Sequence, residues 1–323
     1  MNRLRCLVIV PTHRLNFRQA NFTLIPCMEN NGDTRMAIVK TRQYAEAAKT
    51  PAHASSPAVS TPSRSRGVLR LPPGGVKVSR HSPAAALAHF IAYYWRVSWD
   101  LRGQQPHLQE TLPHPNIYLV FENNRLQLSG LSTTKFTRML EGQGFVFGVK
   151  FRPGGFRPFL KSSVSSLTNR VVAASDVFGP DADVLEATLV SSAVSCVGED
   201  EMVRALESFL LQRVPTPDER VVRVDGIVGQ IFHQPQIRTV DDLANRAGIN
   251  KRSLQRIFRE YVGISPKWVI QRYRLHELIE RLEAGDPLNW PELALELGYF
   301  DQAHLINDFR TITGYSPVDY QRR

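Results

Sequence analysis

Between residues 67 and 160 the apolar side chains recur at every second position. "FIAYYWRVSW" sets Ile91, Tyr93, Trp95, Val97 and Trp99 in alternation, and "FVFGVKF" does the same with Phe145, Phe147, Val149 and Phe151. "NIYLVF" is a nearly continuous apolar run, and Gly, Pro and Asn punctuate the spaces between. This pattern predicts short strands of a β-rich domain over 67–178. Beyond residue 180 the period lengthens to three and four. "VLEATLVSSAV" and "EMVRALESFLLQRV" predict helices, the second closed by Pro215 and Pro217, and together they suggest a helical connector over 179–218 that could serve a dimer. Residues 1–66 show no sustained period, and "KTPAHASSPAVSTPSRSR" holds few bulky apolar groups. Such a stretch buries too little surface to offset its ordering entropy, so a disordered basic extension is expected. A start codon assigned too far upstream, or a basic arm touching DNA or a membrane, are the other readings.

The last hundred residues contain an internal duplication. Leu243, Ala244 and Gly248 match Leu293, Ala294 and Gly298 at an offset of 50, and Leu254, Phe258, Gly263, Ser265 and Pro266 match Leu305, Phe309, Gly314, Ser316 and Pro317 at 51. The added residue falls in a turn, where insertion is tolerated. Each copy reads as helix, tight turn, helix, with Thr239 and Asn250 as N-caps in the first and Asp301 in the capping slot of the second. Gly248 supplies the positive φ that ends the first helix. Leu254, Ile257, Phe258 and Tyr261 form the inward stripe of the helix after it. Between the copies, "SPKWVIQRYRLHELIERLEAG" predicts a helix of about 30 Å, capped by Ser265 and ended by Gly285. That is close to the ~34 Å between major-groove faces on one side of DNA.

Charge sharpens this picture. The net charge is +10, but residues 1–80 hold thirteen Lys/Arg against three Asp/Glu, which leaves 27 of each in residues 81–323. Bulk basicity therefore belongs to the leader, and any nucleic-acid reading must rest on local pattern. Such a pattern exists between Asn250 and Arg259, where four basic residues stand without an acid. Lys251, Arg252, Gln255, Arg256 and Arg259 share the face opposite Leu254 and Phe258. Arg and Gln pair bidentately with guanine and adenine edges, and flanking cations neutralise phosphates.

These residues resemble the AraC/XylS family of bacterial transcription regulators. The resemblance is carried by Leu243-Ala244 with Gly248, "RSLQRIFREYVGISP", "WVIQRYRLHELIERL", "ELALELGYFDQAHLINDFR" and the closing "GYSPVDY". It covers roughly residues 219–323 and implies an all-α DNA-binding domain of seven helices, with two helix-turn-helix units joined by a long helix. It implies base contacts from Arg252, Gln255 and Arg256 in the first unit and from Gln302, Ala303 and Asn307 in the second. Lys251, Arg259 and Arg310 fall to phosphates. The implied partners are double-stranded promoter or operator DNA, a small-molecule effector, a homodimer, and RNA polymerase if the output is activation. The expected architecture is thus α+β and multidomain, with the β-rich domain, a barrel in the cupin manner, as sensor or dimerisation domain.

The second copy departs from a basic pattern. Asp301, His304 and Asp308 stand three and four residues apart in "GYFDQAHLINDF", a spacing that places all three on one helical face. Asp301 reads as a helix cap, His304 as a solvated residue beside the DNA, and Asp308 as an inward partner of an arginine. The second helix should therefore read bases lightly.

Other chemistry is thin. His107, Glu110 and His114 are the best metal donors by type, and a metal-dependent enzyme of cupin-like type with an appended DNA module is the alternative they define. They lack a close His-x-His pair, and Pro106, Pro113 and Pro115 suggest a turn-rich loop. Arg152 and Arg157 around Gly154-Gly155 could hold an anionic effector or simply mark a strand-to-helix turn. With His107, Glu110 and His114 they make up the effector candidates. No nucleophile elbow, Walker lysine loop or nucleotide fingerprint occurs, so no catalytic residue, metal or cofactor is assigned. Cys6, Cys27 and Cys196 are odd in number and scattered, which fits a reducing cytoplasm. Cys6–Pro11 is too short for a signal h-region, and no apolar run approaches 18 residues, so a cytoplasmic protein without a membrane span is expected.

Overall fold

The computed structural model describes residues 22–28, 34–40, 68–70, 75–195, 198–285 and 288–322. Residues 1–56 and 57–323 form separate units. In the first, β1 (Phe22–Met28) pairs antiparallel with β2 (Thr34–Lys40), Phe22 lying opposite Lys40 and Met28 opposite Thr34. This hairpin falls within the stretch expected to stay unstructured. In the sequence, "ENNGD" between its strands carries an Asn-Gly pair, a local hairpin signal. The rest of residues 1–66 lies outside the described residues.

Among the described residues of the second unit, nine strands build two antiparallel sheets. The larger runs in the order β11 (Val171–Ala173), β8 (Arg125–Ser129), β7 (Tyr118–Glu122), β10 (Gln143–Phe151), β5 (Ile91–Asp100) and β4 (Val76–His81). The smaller consists of β3 (Val68–Arg70), β6 (His107–Thr111) and β9 (Phe136–Leu140). β7 and β8 are joined by Asn123 and Asn124, both at positive φ, which Asn tolerates and a two-residue hairpin requires.

Alternation along β5 and β10 gives the larger sheet two apolar faces. Tyr94, Phe147, Val149 and Phe151 point to one side and are fully buried there. The short α1 (Ser175–Phe178) is followed by α2 (Asp181–Val194) and α3 (Glu199–Leu211), which bring Leu185, Leu189, Met202, Leu206 and Phe209 into that same core. The two helices expected as a connector thus close the outer face of the sheet. The opposite face is covered by the smaller sheet, where Trp99, Leu101, Val146 and Leu140 form a second cluster with Trp95 and Val120 against it.

Among the described residues seven helices follow: α4 (Glu219–His233), α5 (Val240–Ala247), α6 (Lys251–Ile257), α7 (Pro266–Ala284), α8 (Trp290–Glu296), α9 (Gln302–Thr313) and α10 (Pro317–Arg322). One core forms around Val224, Ile231, Leu243, Leu254, Phe258 and Val269, the other around Leu278, Leu293, Leu297, Leu305 and Phe309. α7 serves both, and its 19 residues span about 28 Å. The β-rich domain enters each core, Leu131 in the first and Leu69 and Leu112 in the second. Among the described residues no helix is long and apolar enough to cross a membrane.

Candidate nucleic-acid interface

The first helix-turn-helix unit is fixed by its caps. Thr239 and Asp242 form a reciprocal capping box at the start of α5, and the hydrogen bond with Thr239 holds the Asp242 carboxyl below its ordinary range. Gly248 ends α5 at φ 63°, a left-handed conformation that a residue with a Cβ adopts only at a cost. Two residues later the Asn250 side chain accepts from the Ser253 amide at 2.8 Å and starts α6. Leu254 and Phe258 are fully buried and Tyr261 nearly so, while Ile257 is half-buried. Beyond Ile257 the chain continues as a π-helical turn, Phe258–Val262, before Gly263 stops it.

Burying that stripe turns the opposite face outward. Lys251, Arg252, Gln255, Arg256 and Arg259 are all exposed. Among the described residues, the side chains of Arg252, Gln255, Arg256 and Arg259 make no hydrogen bond or ion pair. Lys251 pairs with Asp241 at 3.0 Å across solvent, a bond that a phosphate could replace. The face therefore presents fork-shaped donors whose bonding capacity is unspent among the described residues.

The second unit repeats the scaffold with milder chemistry. Asp301 accepts from the His304 amide at 2.7 Å and caps α9. Ala303, His304, Asn307 and Arg310 are exposed, and Gln302 is half-buried. The His304 ring meets the Tyr299 ring edge-on at 5.2 Å. Asp308 leans inward as its spacing suggests, but its hydrogen-bond partner is not an arginine: Tyr299 donates its hydroxyl to Asp308 at 2.6 Å. Burial, with help from that carboxylate, pushes the Tyr299 phenol well up. Arg272 feels the Asp308 charge without bonding to it; its guanidinium instead lies over Trp268 and donates to the Thr133 carbonyl at 2.7 Å. Phe300, which spacing did not single out, is 86% exposed immediately before the cap of α9. Its signal was an aromatic at a turn position that no core stripe requires.

The effector candidates do not converge. His107–Thr111 is a strand rather than a loop, so alternation sends His107 and Glu110 to opposite faces. Glu110 is buried and bonded to Lys135 and Tyr315, while the His114 ring lies tilted against that of His276 of α7, centroids 4.8 Å apart. The three are not one donor set, and among the described residues no group of three His, Cys, Asp or Glu could hold a metal ion. Arg152 pairs with Asp225 of α4 and Arg157 with Glu260, each at 3.1 Å. Gly154 and Gly155 between them form the turn: Gly154 sits at φ 80°, and a Cβ on Gly155 would strike the Phe90 carbonyl oxygen. These arginines fasten the β-rich domain to the first unit.

Comparison with known proteins agrees with this geometry. Residues 243–323 match a family model described as a helix-turn-helix domain. Residues 79–173 match one described as a domain of unknown function, DUF6597. The chain is 33% identical over 92 residues to the HTH-type transcriptional regulator GlxA of Rhizobium meliloti (strain 1021), which covers 28% of each protein. It is 31% identical over 83 residues to the HTH-type transcriptional activator AarP of Providencia stuartii, covering 26% of this chain and 61% of that protein. The C-terminal region is an AraC-type helix-turn-helix domain. Among solved structures, the C-terminal domain of AraT, a response regulator from Geobacillus stearothermophilus, is 25% identical with a TM-score of 0.28, covering 31% of this chain and 84% of that one. The chain thus spans 28% and 61% of the length of these two curated relatives, and both alignments are short enough to fit within the AraC-type domain and its flanks.

Proposed function

We propose that this protein is a sequence-specific transcription regulator that sets α6 and α9 into successive major-groove segments of a promoter. The observation that supports it best is the exposed face of Arg252, Gln255 and Arg256, held on a helix capped by Asn250 and unbonded among the described residues. Arg252 and Arg256 suit guanine edges, Gln255 suits adenine, and Lys251 and Arg259 flank them toward phosphates. In α9, Gln302, Ala303 and Asn307 carry the lighter second reading, with Arg310 on the backbone. The names of the two curated relatives, a regulator and an activator, support a role in transcription; if the output is activation, RNA polymerase is a further partner.

The β-rich domain acts in this reading as the sensor. Its contacts with both units and with α7 give a ligand a route to the reading helices. A homodimer is consistent with it, as is a cytoplasmic location. Selection of duplexes from a random pool by the full chain tests the proposal. Enrichment of a two-part site with centres about 10 base pairs apart supports it, and enrichment without any sequence preference contradicts it.

A further inference from the structure

The turns of the two copies differ by one residue, and their hydrogen bonds identify it. In the first copy Ile249 donates its amide to the Ala244 carbonyl at 3.1 Å, and Asn250 then caps α6. In the second, Tyr299 donates to the equivalent Ala294 carbonyl at 2.9 Å, and Asp301 caps α9. Ile249 thus matches Tyr299, and Asn250 matches Asp301. The residue left without a counterpart is Phe300.

The scaffold of the second copy is complete without that ring. On one side Tyr299 is buried and bonded to Asp308, and the stem of Arg238 lies against Gly298, where a Cβ would stand 3.0 Å from the Arg238 Cβ. On the other side the Asp301 cap is made. A large apolar residue just before an N-cap ordinarily packs on the fourth residue of the helix as a hydrophobic staple. In α9 that residue is Leu305, fully buried in the core with Leu293 and Phe309. Phe300 is 86% exposed, so the staple is not made. Neighbours pinned on both sides hold a phenyl ring out in water.

The place where it is held gives the ring a task. The N-terminal turn of a reading helix is the part that meets base edges. Phe300 stands directly before that turn in α9, and Ala303 within the turn is exposed as well. The apolar group that a major groove presents is the C5-methyl of thymine, which Phe and Ala contact without any hydrogen bond.

We infer that Phe300 is a specificity-determining residue of the second unit, its ring packed on the C5-methyl group of a thymine. The inference rests on the proposed reading of the protein as a sequence-specific regulator and names a base contact outside the polar residues of α9. Returning one methyl group to water weakens binding about fourfold. A contact of that size leaves the second unit the lighter reader.

Fluorescence anisotropy with the full chain, on the duplex it selects from a random pool, tests the assignment. Each thymine is replaced in turn by deoxyuridine, which removes the methyl and keeps the base pair. The native protein should bind about fourfold more weakly at one such replacement, in the half-site where Arg256→Ala relaxes no preference. Phe300→Ala should lose about as much on the unmodified duplex and lose nothing further at that deoxyuridine. Phe300→Leu should keep part of the discrimination, and circular dichroism should show both variants folded. Indifference of the native protein to every replacement in that half-site would overturn the inference. So would a Phe300→Ala variant that still tells thymine from deoxyuridine there, or one that binds as the native protein does, which would turn the ring toward a protein partner. A Phe300→Ala loss equal on all duplexes would make the contact one to the DNA backbone and overturn it too. If Arg256→Ala weakens binding while no thymine methyl matters, the regulator reading stands and the role of Phe300 falls; if no duplex is selected, both fall.

Discussion

Tyr315, just past the glycine that ends the second reading helix, donates its hydroxyl to Glu110 of the β-rich domain at 3.1 Å. Lys135 completes the contact, pairing with Glu110 at 2.5 Å and donating to the Thr313 carbonyl. Glu110 is 1% exposed and its pair is largely shielded from water, so the charges are worth much to each other only while both are present. Glu110→Ala should cost about 3–5 kcal/mol in chemical denaturation, because it strands a buried ammonium. The double variant Glu110→Leu with Lys135→Met should recover most of that loss. Equal losses in the single and double variants would show that the contact is not an ion-pair effect.

The first unit depends on its buried stripe more than on its charged face. Leu254→Ala and Phe258→Ala each empty a fully buried position and should cost about 2–5 kcal/mol. Arg252→Ala, on the exposed face, should change stability by less than about 0.5 kcal/mol. Thermal unfolding followed by circular dichroism distinguishes the two classes.

Lys150 should leave a signature in the pH dependence of stability. Its folded value, about 8, lies below the ordinary value of 10.5, so the charged form is penalised only in the folded state. The cost is present in full below pH 8, shrinks as the folded ammonium deprotonates, and vanishes near 10.5. Lys150→Met should therefore be more stable than the native protein by about 2 kcal/mol at pH 7, after allowance for the solvent the group still touches. The gap should close between pH 8 and 10.5.

How much of this was legible beforehand follows from the range of the interactions. Caps, turn glycines and helical stripes are local, so Thr239, Asn250, Asp301, the helix pair of each copy and the long helix between them could be read from spacing alone, while the count of seven helices came from the family resemblance. The strands of the β-rich domain were legible as alternation, but alternation does not say which face meets which partner. The fates of Glu110, His114, Arg152 and Arg157 were decided by residues up to 205 positions away, and no periodicity carries that information. Asp308 shows the limit at short range: its inward lean followed from register with Ile257, yet Tyr299, nine residues earlier, supplies the bond.

Arg259 lies at the edge of the proposed reading face and is exposed. Arg259→Ala should weaken binding to all duplexes alike and reduce the slope of log affinity against log salt by about one. A loss confined to the selected site would move Arg259 from the backbone to a base edge.

The central claim is that the first reading helix dominates recognition and the second contributes lightly. Fluorescence anisotropy on the selected duplex, with Arg256→Ala and Asn307→Ala compared at one salt concentration, tests it most directly. The account predicts that Arg256→Ala loses about 1–3 kcal/mol and relaxes preference at one base, with a smaller loss for Asn307→Ala. Unchanged binding by Arg256→Ala, or a larger loss from Asn307→Ala, would contradict it.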